Sequence, residues 1–234
     1  MDTQTRHALK KDKFAQATAS SVSWVSGHRS GGVRWVIAGV VVLALIVGAF
    51  IFWDMKSAAA DTSLGAALDI YDAPLSIPGA PAENGVYSST ADRSKAANKL
   101  FAAVAAQYGW LPPGAKAHYF VGITDQETGQ TAAAENELKT AGASWDRNLA
   151  NLAKLALASI YHQTGRDSQA IGIYNALIAK PSETVSAGVA QLDLADLYAA
   201  AGNKDQARKI WAQVKDADKD GAAGSIAAQK LAGK

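Results

Sequence analysis

Cysteine is absent from the 234 residues, which excludes disulfides, thiolate nucleophiles and cysteine-ligated metals and leaves the redox compartment open. Proline is scarce, and only Pro181 follows position 113, so long helices can run there uninterrupted. No stretch alternates apolar and polar residues long enough for a strand. His118 and His162 are the only histidines beyond residue 28. Neither is accompanied by a nucleophile elbow, a carboxylate triad or a phosphate-binding glycine loop, so they read as packing or groove residues. No catalytic residue, metal ligand or cofactor site is expected. Asp193 and Asp196 share a helical face and read as a solvated acidic pair. Asp216, Asp218, Asp220 and Gly221 imitate the start of a calcium loop, but its twelfth position is Ala227, so the segment reads as a turn.

What is present is apolar and rich in alanine: 49% of residues are hydrophobic and 19% charged, which suits an all-α chain with a substantial core. Charge is unevenly spread. Arg6, Lys10, Lys11, Lys13, Arg29 and Arg34 outnumber Asp2 and Asp12, so residues 1–34 carry +4 while the whole chain carries +2. The remainder is therefore slightly acidic, which argues against a nucleic-acid-binding domain.

Between Arg34 and Asp54, the run WVIAGVVVLALIVGAFIFW holds no charge. As a helix it spans about 28 Å, the thickness of a bilayer's hydrocarbon core, and Trp35 and Trp53 sit where indoles favour the interface. Residues 35–53 are expected to be a transmembrane anchor. Ala58 to Ala60 would suit signal cleavage, but the long basic leader and the long apolar run favour retention. Positive charge on the N-terminal side places the leader in the cytoplasm and everything after the anchor across the membrane, in the periplasm of a bacterium. Ala44 and Gly48 form a small-residue pair that could seat a partner helix. For residues 1–34 two readings stay open: Phe14, Thr18, Val22 and Val25 along the inner leaflet, or a solvated tail.

Residues 54–87 include Pro74, Pro78, Gly79, Pro81 and Gly85 and read as a linker. A helical domain is expected over 88–234, its first helix capped near Ser88 to Asp92 and stopped by Pro112-Pro113-Gly114. Beyond it, Gly129, Gly165 and Gly202 recur at intervals of 36 and 37 residues, each between two amphipathic segments. Ala134, Ala170 and Ala207 follow five residues later; Leu138, Tyr174 and Trp211 come four after that. Tyr161 and Tyr198 precede the last two glycines by four. Glycine permits a tight turn, alanine lets the second helix approach, and the large residue fills the space between pairs.

This pattern resembles the tetratricopeptide repeat, in Ala158, Tyr161, Gly165, Ala170, Tyr174 and Pro181, then in Ala195, Tyr198, Gly202, Ala207 and Trp211. Gly122, Gly129, Ala134 and Leu138 make a weaker first unit with Asp125 where an aromatic is usual. Units are expected near 115–146, 149–181 and 188–220, with a capping helix at 222–232. The resemblance implies an α-solenoid whose first helices line a groove, here Lys116, Tyr119, Ile123 and Gln126, then Leu152, Leu155, Ser159 and His162, then Val189, Leu192 and Asp196. It lacks the basic set that clamps a C-terminal carboxylate in some members.

A basic leader, one membrane helix and a repeat domain together resemble the YfgM-type ancillary subunits of the SecYEG translocon. That likeness implies a chaperone-like holder whose partners are translocon subunits, unfolded or secretory clients and periplasmic chaperones. The alternative is a scaffold bridging subunits of another envelope assembly, such as a cytochrome-maturation, pilus or cell-wall complex.

Overall fold

The computed structural model describes residues 32–76 and 85–233. The leader residues Phe14, Thr18, Val22 and Val25, its lysines, and Pro78, Gly79 and Pro81 lie outside the described residues. The chain divides into two units, residues up to Met55 and Lys56–Lys234.

In the first unit the apolar run is helical, as its composition dictates, within a helix α1 that covers Gly32–Tyr71. Its large apolar side chains are exposed from Trp35 to Met55. Among the described residues this one helix is long and apolar enough to cross a membrane, and a fully exposed apolar surface is stable only against lipid or another apolar partner.

The second unit corrects the expected linker. Residues 56–71 are not a tether but the last part of α1, and Ala60, Leu64 and Ala67 are buried there. With Tyr71 they form a stripe at helical spacing. The stripe packs on Ala97, Phe101, Val104 and Tyr108 of α2 (Thr90–Tyr108) and on Ala117 and Val121 of α3 (Pro112–Glu127). Tyr71 meets Phe101 and Phe120 edge-on, at centroid distances of 6.1 and 5.9 Å. Its hydroxyl donates to Glu127 at 2.8 Å, and the Ser94 hydroxyl donates to the same carboxylate. The helix ends before Pro74, and Tyr87 N–H donates to the Pro74 carbonyl at 3.1 Å, tying the stretch just after α1 to the one just before α2. Helix α2 begins where its sequence expects, with Ser89 Oγ accepting from Asp92 N–H at 3.1 Å.

Six further helices follow: α4 (Thr131–Gly142), α5 (Arg147–Gln163), α6 (Asp167–Ala179), α7 (Ala187–Ala200), α8 (Lys204–Ala217) and α9 (Ala222–Leu231). Each packs on the one before it, which is the architecture of an α-solenoid. Gly129, Gly165 and Gly202 turn α3 into α4, α5 into α6 and α7 into α8, with φ of +79°, +73° and +83°. In all three turns the residue after the glycine donates its N–H to the carbonyl five positions before its own, that of Asp125, Tyr161 and Tyr198. This closes the helix end in a left-handed cap that a side chain would strain. Ala134, Leu138, Ala170, Tyr174 and Ala207 are buried in one continuous core with Tyr161, while Tyr198 and Trp211 pack against its edge. Pro181 is exposed in the α6–α7 loop.

The first pair differs in two linked ways. At Gly122 an added Cβ would come within 2.6 Å of Leu138 Cγ, so α3 and α4 approach more closely than a larger residue permits. Asp125 replaces the aromatic and is buried, satisfied by Asn98 Nδ2 of α2 at 2.8 Å. Burial raises the Asp125 carboxyl pKa, with Asn98 opposing that shift. The calcium-like segment serves as a cap: Asp218 Oδ2 accepts from Gly224 N–H at 3.1 Å at the start of α9.

Candidate functional site

The first helix of each pair, α3, α5 and α7, carries the residues expected to line a groove. On α3, Lys116 is exposed and Gln126 half-buried, while Tyr119 and Ile123 lean against the main core. Burial also raises the Tyr119 phenol pKa. On α5, Leu152 and Leu155 are half-buried against Leu177, Val185 and Ala190, so they also join neighbouring pairs. Val189 on α7 is exposed.

Leu192 departs from the expectation. Only 7% exposed, it belongs to the core and cannot contact a partner. The face of α7 that opens outward is set one residue further round, through Val189, Asp193, Asp196 and Ala200, at spacings of four, three and four.

Ser159, His162 and Asp196 do come together. With Tyr174, Asp193 and Leu197 they line a cavity of about 350 Å³ between α5, α6 and α7. His162 Nδ1 lies 2.7 Å from Asp167 Oδ1. Ser159 Oγ accepts from Gln163 at 3.1 Å. Lys230 of α9 donates to Asp196 Oδ2 at 2.7 Å. Asp193 is therefore not a solvated face residue: burial first, then the Asp196 carboxylate, push its pKa up, while Lys230 opposes them. Burial and the same two carboxylates raise the Tyr174 phenol. The aspartate spacing was visible in sequence; that Tyr174 of another helix stands beside the pair was not.

The other histidine has a structural role, since His118 Nδ1 lies 2.6 Å from Glu137 Oε2 and joins α3 to α4. Two exposed aromatics were missed: Trp145, in the α4–α5 loop, is 84% exposed, and Trp110, between α2 and α3, is 53% exposed. Among the described residues no group of three histidines or carboxylates could hold a metal ion.

The glycine turns, the small residues facing them and the paired antiparallel helices are the features by which tetratricopeptide units are built. A family model described as a tetratricopeptide repeat-like domain matches residues 32–231. The chain belongs to this tetratricopeptide repeat-like family. The match takes in the apolar helix as well as the solenoid, and no individual curated protein matches significantly. Tetratricopeptide repeat-like domains are protein-interaction modules, so the face formed by α3, α5 and α7 is the candidate interface.

Proposed function

We propose that the chain is a membrane-anchored holder of polypeptides, binding them along the face of α3, α5 and α7. The observation that carries this reading is the outward set Tyr119, Ile123, Leu152, Leu155, Ser159 and His162, which mixes half-buried apolar groups with polar ones on successive first helices. Such a surface offers shallow apolar contact and few fixed polar demands, which suits weak, unselective binding. Anchoring through the apolar run of α1 concentrates the domain at the membrane, so each contact can remain weak. The charge excess before Arg34 orients the leader to the cytoplasm and the solenoid to the periplasm. By resemblance, the setting is the exit of the Sec translocon, with emerging chains as clients and periplasmic chaperones as recipients. The role is binding without catalysis.

Photo-crosslinking from a probe at Ser159, in inverted membrane vesicles with and without active translocation, tests this reading. Crosslinks to many secretory chains that depend on translocation support the holder. One constant partner, independent of translocation, makes the protein a scaffold of another envelope assembly instead.

A further inference from the structure

The cavity between α5, α6 and α7 contains acceptors that the protein leaves unused. Tyr174 is only 4% exposed, yet its hydroxyl has no hydrogen-bond partner among the described residues. The Asp193 carboxylate, half-buried beside it, likewise has none. Asp196 Oδ1 is buried and unpartnered, although Lys230 holds its other oxygen. Buried polar groups are ordinarily satisfied; the one buried orphan, Asp196 Oδ1, opens on the same cavity as the unpartnered Tyr174 hydroxyl and Asp193 carboxylate, and together they describe the donor they await.

That donor must be cationic, because the site sets two carboxylates against a single lysine. It must also present several N–H groups in different directions, because the acceptors belong to three side chains on α6 and α7. An ammonium is a compact point donor, whereas a guanidinium spreads five N–H groups over a plane. The carboxylates do not converge with His162 as a metal site requires. We propose that this cavity binds the guanidinium of an arginine carried by a polypeptide in the groove. The proposal rests on the groove reading above and adds a register to it: Asp193, Asp196 Oδ1 and Tyr174 Oη hold the arginine, while Tyr119, Ile123 and Leu155 receive apolar neighbours.

The test uses the full chain in detergent micelles and an unstructured fluorescent peptide with a single arginine, compared with the same peptide carrying citrulline. Citrulline keeps the shape and loses the charge. Wild type should bind the arginine peptide about tenfold or more tightly than the citrulline peptide. Asp193→Asn should remove most of that preference, weakening binding of the arginine peptide far more than that of the citrulline peptide. Lys230→Ala, which frees Asp196 Oδ2, should widen the preference severalfold and provides a second reading should Asp193→Asn not fold. Equal binding of the two peptides by wild type, still weakened by Tyr119→Ala, overturns the arginine site and leaves the groove standing. Binding of neither peptide overturns both. Competition by free arginine amide as effective as by the arginine peptide overturns the assignment to a polypeptide.

Discussion

Arg166, just after the second glycine turn, donates to Glu135 of the preceding helix pair at 2.7 Å while its guanidinium lies 4.4 Å from the centre of the Tyr161 ring. One side chain thus joins two pairs and covers the aromatic that marks the repeat. Glu135 also accepts from Lys139 at 2.6 Å. The hydrogen bonds from Arg166 and then Lys139 hold its carboxyl pKa at about 2, below the ordinary 4.5. A carboxylate depressed in the folded state stabilises above its unfolded pKa, and that contribution disappears as pH falls through the folded value. Urea unfolding of wild type and Glu135→Gln should therefore differ in favour of wild type at neutral pH. The difference should shrink from pH 4.5 downward to pH 2. A pH-independent difference would contradict this role.

Asp193 has the opposite sign. Its pKa is raised by burial and by Asp196, so the charged form opposes folding above the folded pKa and the penalty lifts as pH falls. Asp193→Asn should raise the thermal midpoint at pH 7 by about 2–4 °C, with the gain fading in acid, and weaken capture of arginine-bearing clients. A residue whose removal stabilises the fold and harms binding marks a site built for a ligand.

Two glycines separate backbone need from habit. Gly165 has φ +73°, whereas Gly172 lies within α6 with open space around it. Gly165→Ala should cost about 1–2 kcal/mol, and Gly172→Ala should gain about 0.5–1 kcal/mol. Denaturant midpoints measured on the two variants decide between these signs.

The buried end of α1 belongs to the solenoid. Leu64→Ala should cost about 2–3 kcal/mol through a cavity beside α2 and α3, and a fragment starting at residue 88 should melt below one starting at residue 56. Equal melting of the two fragments would return residues 56–71 to the role of a linker.

The glycine turns, their facing alanines and the tyrosines were legible because each is fixed by local backbone geometry and repeats in register. The stripe Ala60, Leu64, Ala67 and Tyr71 was hidden by the proline- and glycine-rich stretch after it, whose composition does not extend back to residue 57. Leu192 and Asp193 could not be told apart from sequence. They are neighbours on a helix packed on two sides, and only the contacts of α6, α8 and α9 decide which faces the core. The unpaired Tyr174 hydroxyl is likewise a tertiary fact, set by how α6 and α7 meet.

Hydrogen exchange of the full chain in micelles, with and without an unfolded client, tests the central claim most directly. Protection should rise in Pro112–Glu127, Arg147–Gln163 and Ala187–Ala200 and stay unchanged in Thr131–Gly142, Asp167–Ala179 and Lys204–Ala217. Protection confined to the second set of helices, or none at all, would contradict a binding face formed by the first.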